Sequence, residues 1–152
     1  MVISSLFVAN SFIMKAFDEK KSITHMKLQK LLYMVYACYL ARFREPLFSD
    51  RFEAWQYGPV ICNVYNEFKE YGSKNIDTPH VSADGQIYYA IEADQFGECM
   101  GLVWSQYKDH SGPELSRITH ADGTAWSKKL LGQLLDDKDI VDDGIKWFGY
   151  SA

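Results

Sequence analysis

Hydrophobic residues in the first third of the chain recur every three or four positions, which is the spacing of an amphipathic α-helix. This pattern predicts one helix over about residues 3–17 and a second over about 24–44. The second helix is apolar around most of its circumference, so we expect it to lie at the centre of the core. Thr24 is suited to cap its start, and Pro46 disfavours a helical conformation at Glu45 and so predicts its end.

The pattern changes to alternation over residues 48–57, which predicts a short strand or extended segment. Gly58 and Pro59 predict a turn, and Pro59 is suited to the first position of a third helix. Gly72 is the expected end of that helix.

The next segment has the pattern of a β-hairpin over residues 81–87, with its turn near Asp84 and Gly85. Residues 88–91 supply a return strand, although the strand could instead pair with the segment around Phe52. Both arrangements predict a small β-hairpin or a short antiparallel sheet.

Helical periodicity returns in the second half over residues 92–107, and residues 114–119 are predicted to form a short helix. The tail has one more short apolar pattern, at Ile140, Ile145, Trp147 and Phe148. Thr124 is expected to cap a further helix, whose predicted buried residues are Trp126, Leu130, Leu131 and Leu134. The chain is therefore predicted to be mainly α, with about six helices around the central one. We expect residues 1–152 to form a single compact domain.

Composition supports a globular protein that needs no metal or disulfide to fold, because 152 residues suffice for a sizeable core. Aromatic residues make up 15% of the chain, more than one core requires, and so some are available for binding. The three cysteines have no paired spacing, which favours free thiols in a reducing cytoplasm. Neither a signal peptide nor an apolar stretch long enough to span a membrane is evident.

Charge is divided unevenly along the chain. Residues 1–76 contain ten Lys and Arg against seven Asp and Glu, whereas residues 77–152 contain six against thirteen. An acidic run over residues 136–143 is expected to be a solvated face or loop, with a partner-binding patch as the alternative. The overall net charge of −4 disfavours nucleic acid as a partner.

The sequence contains no pattern of a catalytic or cofactor site. The histidines, at positions 25, 80, 110 and 120, lack metal-ligand spacing, and the cysteines lie far from them in sequence. Nucleophile-elbow and phosphate-loop motifs are also absent. We therefore predict a protein that is not an enzyme and that uses no metal or cofactor.

Three separated segments combine into a recognisable pattern. They are residues 27–33 (KLQKLLY), residues 52–60 (FEAWQYGPV) with Tyr65, and residues 115–120 (LSRITH) with Trp126. In order and spacing they resemble the SocA-like antitoxin family, also called the Panacea domain or the phage-associated GepA-like family. Residues 8–12 and 145–148 extend this resemblance over almost the whole chain.

The resemblance implies a cytoplasmic bacterial or phage protein that neutralises a toxin by direct binding, the toxin being encoded by an adjacent gene. An alternative is an adaptor or regulatory module that delivers the toxin to a cellular protease, for which the unequal charge halves would provide two docking faces. A third hypothesis is an enzyme that acts on a nucleotide or small molecule.

We expect the motif residues to divide into two roles. The polar groups proposed to contact the partner are Lys27, Lys30, Gln56, Tyr57 and His120. Trp55, Gly58, Pro59 and Trp126 are proposed as the scaffold, and His120 could also belong there. Tyr33, Tyr36 and Tyr65 are further aromatic candidates, because a tyrosine hydroxyl tolerates partial exposure.

Overall fold

The computed structural model describes residues 3–90 and 94–151. Within those ranges the chain forms six α-helices, two single 3₁₀ turns and one two-stranded antiparallel sheet, which confirms the predicted fold class. In chain order the elements are α1 (Ser5–Asp18), α2 (His25–Phe43), β1 (Glu53–Trp55), β2 (Gly58–Val60), α3 (Cys62–Phe68) with a 3₁₀ turn (Lys69–Tyr71), α4 (Gln95–Tyr107), α5 (Gly112–Thr119), a second 3₁₀ turn (Trp126–Lys128) and α6 (Asp137–Phe148).

Helix α2 is the centre of the core, as its sequence predicts. Every residue from 27 to 41 is buried, and the helix packs against α1, α4, α5 and α6. The Thr24 hydroxyl accepts a hydrogen bond from the Lys27 amide at 3.2 Å, and Arg44 ends the helix with a left-handed φ of 59°. α6 crosses α2 closely at Gly144, where an added Cβ would lie 2.1 Å from the Ala37 carbonyl oxygen.

The predicted helix over residues 92–107 is observed as α4 from Gln95 onward, with residues 92 and 93 outside the described residues. Asp94 caps it by accepting a hydrogen bond from the Gly97 amide at 2.8 Å. α5 begins with Ser111 and Glu114 in a reciprocal capping arrangement, and Pro113 lies in its first turn. Both helices therefore begin at side chains that satisfy free backbone amides.

The prediction that Pro59 begins a helix is wrong. Pro59 lies in β2 opposite Ala54, a two-residue turn of Gln56 and Tyr57 connects the strands, and α3 begins only at Cys62. Proline is compatible with this position because β2 is an edge strand. Its missing amide would face outward, where no further strand among the described residues needs a hydrogen-bond donor. α3 ends at Phe68, earlier than predicted, and Gly72 instead ends the 3₁₀ turn that follows it, with a positive φ of 57°.

The helix predicted after Thr124 is also wrong. Only the short 3₁₀ turn at Trp126–Lys128 forms, and Leu130, Leu131 and Leu134 are 74%, 64% and 43% exposed. The chain instead runs beside β1, where the Ala54 amide donates to the Gln133 carbonyl at 2.8 Å. Backbone groups of residues 132–135 are therefore hydrogen-bonded to the segment containing β1 rather than within a helix.

The hairpin predicted over residues 81–87 is observed as a turn without strands: the Gly85 amide donates to the Ser82 carbonyl at 2.8 Å. The flanking backbone bonds to helix α1 instead. The Asn10 amide group donates to the carbonyls of His80 and Tyr88 at 2.9 and 3.1 Å, and its oxygen accepts from the His80 amide. Residues 88–90 of the predicted return strand are irregular, and residue 91 lies outside the described residues.

None of the helices in the described ranges combines the length and apolarity that crossing a membrane requires.

Candidate functional site

Four alternate carbonyl groups of the hairpin each accept a hydrogen bond from a side chain. Trp126 Nε1 donates to Trp55 O at 2.7 Å, Ser116 Oγ donates to Tyr57 O at 2.5 Å, and Lys30 Nζ donates to Pro59 O at 2.9 Å. Gln29 Nε2 completes the series by donating to Ile61 O at 3.1 Å. The hairpin is thus held by donors from α2, α5 and the second 3₁₀ turn.

Gln29 and Lys30 on α2 supply two of these donors. The Gln29 side chain also accepts a hydrogen bond from the Ile61 amide at 2.9 Å, so it pairs with both backbone groups of one residue. Its own exposure is 1%, and such a buried pair of bonds fixes the point where the chain leaves β2 for α3.

Gly58 brings the hairpin backbone close to α2 and α5. Its φ is +116°, and an added Cβ would lie 3.0 Å from both Lys30 Cε and Thr119 Oγ1. A residue without a side chain is therefore required here for both conformation and space.

His120 lies at the end of α5, half-buried against the scaffold. Its Nδ1 is 3.3 Å from Ser116 Oγ, and its ring packs edge-on against Trp126 with 5.2 Å between centroids. His120 is therefore linked to the hairpin through Ser116, the residue that binds Tyr57 O.

A pocket of about 280 Å³ lies between the hairpin and the first turns of α2. We call it the hairpin pocket; it is lined by His25, Met26, Gln29, Lys30, Trp55, Gln56, Tyr57, Val60 and Tyr65. The Tyr65 ring packs against Trp55 and His25 with centroid distances of 4.8 and 5.0 Å. Gln56 and Tyr57 are exposed, Tyr57 by 58%, whereas Gln29 and Lys30 are buried. The pocket therefore opens at the turn and is closed by α2.

Lys30 is the charged group of the hairpin pocket, and only 2% of it is exposed. Burial lowers its pKa from 10.5 to about 7, because a charged ammonium is poorly solvated there. The pKa of His25 is also lowered, first by burial and then by the charge of Lys30. Near neutral pH the amine can therefore exchange between its charged and neutral forms.

Lys27 does not join the hairpin pocket. Its Nζ donates to the Lys108 carbonyl and lies 5.9 Å from the centre of the Trp104 ring. The structure thus brings together Lys30, Gln56 and Tyr57, with His120 connected through Ser116, while Lys27 lies at the junction with α4. The scaffold candidates Trp55, Gly58, Pro59 and Trp126 all belong to the hairpin or bind it.

Three residues of the site, His25, Gln29 and Ser116, were not predicted from the sequence. The pair of His25 and Gln29 and the pair of Met26 and Lys30 are each four residues apart, and such pairs share a helix face. This spacing is the signal that could have placed His25 and Gln29 beside Lys30.

Two other aromatic candidates are part of the core. Tyr33 donates to Asp143 Oδ2 at 2.6 Å and Tyr36 to Asp137 Oδ1 at 2.9 Å, and burial raises the pKa of both hydroxyls. Asp143 is itself buried and also accepts the Ala125 amide at 3.1 Å.

The acidic run over residues 136–143 is less solvated than its composition predicts. Asp136 and Asp139 form ion pairs with Lys129 and Lys128, so four of the five carboxylates have partners within the chain. The run is largely used to attach α6 to its neighbours.

The cysteines and the other histidines do not add a reactive centre to the site. Cys38 and Cys99 are buried, and the pKa of Cys62 is raised to about 11, first by burial and then by its hydrogen bond to Glu53. Among the described residues no cluster of three His, Cys, Asp or Glu side chains could hold a metal ion.

Comparison with known proteins identifies the family. The family model for the antitoxin SocA-like Panacea domain matches residues 28–127, a range that contains the hairpin and all four side chains that bind it. Antitoxin SocA from Caulobacter vibrioides (strain NA1000 / CB15N) is 32% identical over 124 residues, which cover 78% of this chain and 66% of that protein. No solved structure matches the chain significantly. The chain belongs to the SocA-like antitoxin family, the Panacea domain.

Proposed function

We propose that this protein is an antitoxin that neutralises a toxin by binding it directly, through the surface formed by the Gln56–Tyr57 turn and the hairpin pocket. The observation that carries the proposal is Tyr57, a tyrosine 58% exposed at the tip of a hairpin whose backbone is fixed from behind. Tyrosines are enriched among the residues that dominate binding energy at protein interfaces.

The rigid backbone behind the turn favours binding. Ser116 and Lys30 hold the carbonyls on either side of Gly58, so the conformation of the turn is largely set before a partner arrives. Association then loses less conformational entropy than it would with a mobile loop. Gln56, also exposed, supplies amide donors and acceptors beside the ring.

Lys30 and His120 contribute to the same surface from below and from the side. Lys30 is reached through the pocket, and His120 is half-buried behind the turn. Lys27 would contact the toxin at a separate point, because its side chain is bound to the Lys108 carbonyl at the end of α4 and lies outside the hairpin pocket. In this proposal the protein acts in the cytoplasm by binding rather than by catalysis, and its toxin is the product of the adjacent gene.

Co-expression tests the proposal. The product of the adjacent gene should arrest growth when expressed alone, and co-expression of this protein should restore growth and yield a complex that co-purifies. A toxic neighbour that remains toxic and unbound would contradict the proposed function.

Measurement of the toxin's half-life in the same cells separates two modes of neutralisation. Occlusion by direct binding predicts an unchanged half-life in the presence of this protein. A half-life shortened by this protein, and restored when the cell's ATP-dependent proteases are deleted, would replace occlusion with delivery to a protease.

A further inference from the structure

The Lys30 ammonium is incompletely paired. An ammonium carries three N–H donors, and the described residues provide one acceptor, Pro59 O at 2.9 Å. Lys30 is nevertheless 2% exposed and lines the hairpin pocket. A buried donor without an acceptor is unfavourable, so this group favours any acceptor that enters the pocket.

Lys30 also lacks a counter-charge. Burial alone accounts for its lowered pKa, and within the described ranges no carboxylate contributes to it. Buried charges in proteins are ordinarily paired, because their desolvation is otherwise uncompensated. The charge missing from this site is therefore negative.

His25 provides a second, independent unpaired group in the same pocket. Its Nδ1 is buried and has no hydrogen-bond partner among the described residues. The ring is held against Tyr65, and His25 occupies the first position of α2, where the helix dipole favours a negative charge. Its Nδ1–H tautomer could donate to the acceptor that Lys30 lacks.

The remaining lining limits the ligand. Trp55, Tyr65, Val60 and Met26 present apolar surface, and a volume of about 280 Å³ fits one amino-acid side chain or a single substituted ring. Gln56 and Tyr57 are the exposed residues of the lining, so a group that enters beside the turn contacts Tyr57.

We propose that the hairpin pocket binds a carboxylate carried on a short apolar or aromatic group, and that the toxin supplies this group at its contact segment. The carboxylate accepts hydrogen bonds from Lys30 Nζ and His25 Nδ1, while its apolar carrier packs against the surface that Trp55 and Tyr65 form together. This inference rests on the proposed function for the source of the carboxylate, but the chemistry of the pocket is independent of it.

The first test uses the full chain and two small probes, 3-phenylpropionate and its uncharged amide, 3-phenylpropanamide. With ¹³C-labelled lysine, the Lys30 Cε resonance should shift on titration with the acid, and the amide should bind at least about tenfold more weakly. Equal binding of both probes, or no binding of the acid, would overturn the proposal.

Two variants assign the binding to Lys30. Lys30→Met retains the length of the side chain and should abolish the preference for the acid over the amide, whereas Lys69→Met, on the exposed 3₁₀ turn after α3, should retain it. The acid-to-amide ratio of the wild-type chain still tests the proposal if Lys30→Met fails to fold.

The second test uses the complex with the toxin. The acid, but not the amide, should compete with the toxin, and Lys30→Met should weaken the complex at least about tenfold. If the complex forms but neither change affects it, the proposed function stands and the inference falls. If the wild-type chain forms no complex while the acid still binds, the proposed function falls together with the toxin as source, and the pocket accepts a free small acid.

Discussion

The inner side of the hairpin and its tip belong to one short segment, residues 53–61, but have different surroundings. On the inner side, the carbonyls of residues 55, 57, 59 and 61 are each bound by a side chain of the core. At the tip, Gln56 and Tyr57 are exposed and their side chains are not needed to hold the turn. The hairpin motif can therefore be largely structural and still present two residues for binding.

The largest contrast should come from the two glutamines of this region. Gln29→Met leaves the amide and carbonyl of Ile61 buried without partners, and we expect it to lower the free energy of unfolding by about 3–4 kcal/mol. Gln56→Met, at the exposed tip, should change it by less than about 0.5 kcal/mol. Chemical denaturation of both variants checks this, and equal losses would remove the distinction between the two sides.

The next effect is a pH dependence from Lys30. Its pKa is about 7 in the folded chain and near 10.5 when unfolded, so between these values the unfolded state binds one more proton. Wild-type stability therefore gains about 1.4 kcal/mol per pH unit from this group as pH rises through that window.

Lys30→Met lacks this gain. The stability of the variant relative to wild type should therefore fall by roughly 3 kcal/mol from about pH 7.5 to about pH 9.5, and be nearly constant below about pH 6. Denaturation at a series of pH values measures the slope, with Lys69→Met as the surface reference. A slope no greater than that of the reference would mean that the folded chain keeps Lys30 charged throughout.

A smaller loss of stability is expected from replacing Gly58, the residue that follows the exposed tip. Gly58→Ala forces a left-handed φ of +116° on alanine and places its Cβ 3.0 Å from Lys30 and Thr119, so we expect a loss of about 2–3 kcal/mol. Gly123→Ala is the matched control, with a φ of +88° and nothing within 4 Å of the added Cβ, and should lose about 1 kcal/mol. Thermal unfolding of the two variants separates steric crowding from backbone strain. Similar losses of stability in both would contradict the close approach of Gly58 to Lys30 and Thr119.

The smallest effect on folding is expected at the tip. Tyr57→Ala should change the free energy of unfolding by less than about 0.5 kcal/mol, yet raise the dissociation constant for the toxin at least about tenfold. Tyr89→Ala removes an exposed tyrosine from a different loop and should leave binding unchanged. A Tyr57→Ala variant that unfolds but binds normally when folded would assign Tyr57 to the scaffold.

The acidic run shows how far residue type alone can mislead. Five aspartates within eight positions indicate a solvated face, yet Asp143 is buried between Tyr33 and the Ala125 amide, and Asp137 accepts from Tyr36. The two tyrosines lie on α2, about a hundred residues earlier in the chain. A pattern confined to neighbouring residues contains no information on such pairs.

The sequence by itself determined most of the helices and identified the one at their centre. Periodicity identified α2 as buried around its circumference, because a helix must bury whichever face is apolar, and Thr24 caps α2 through a bond within three residues. The motif segments also indicated the family, since their order and spacing are properties of the chain.

Only the tertiary structure decided how the extended parts are paired and which motif residues are exposed. Residues 132–135 pair with β1 although their pattern is helical, since a backbone group takes whichever partner the fold places beside it. Lys30 and Tyr57, both polar motif residues, are 2% and 58% exposed because Lys30 lies on α2 beneath the hairpin, whereas the Tyr57 side chain is left largely uncovered by the residues that the structure describes. Exposure depends on contacts between segments that are distant in sequence. For this reason the local pattern could indicate the site residues, but it could not predict which are buried in the pocket and which are exposed at the tip.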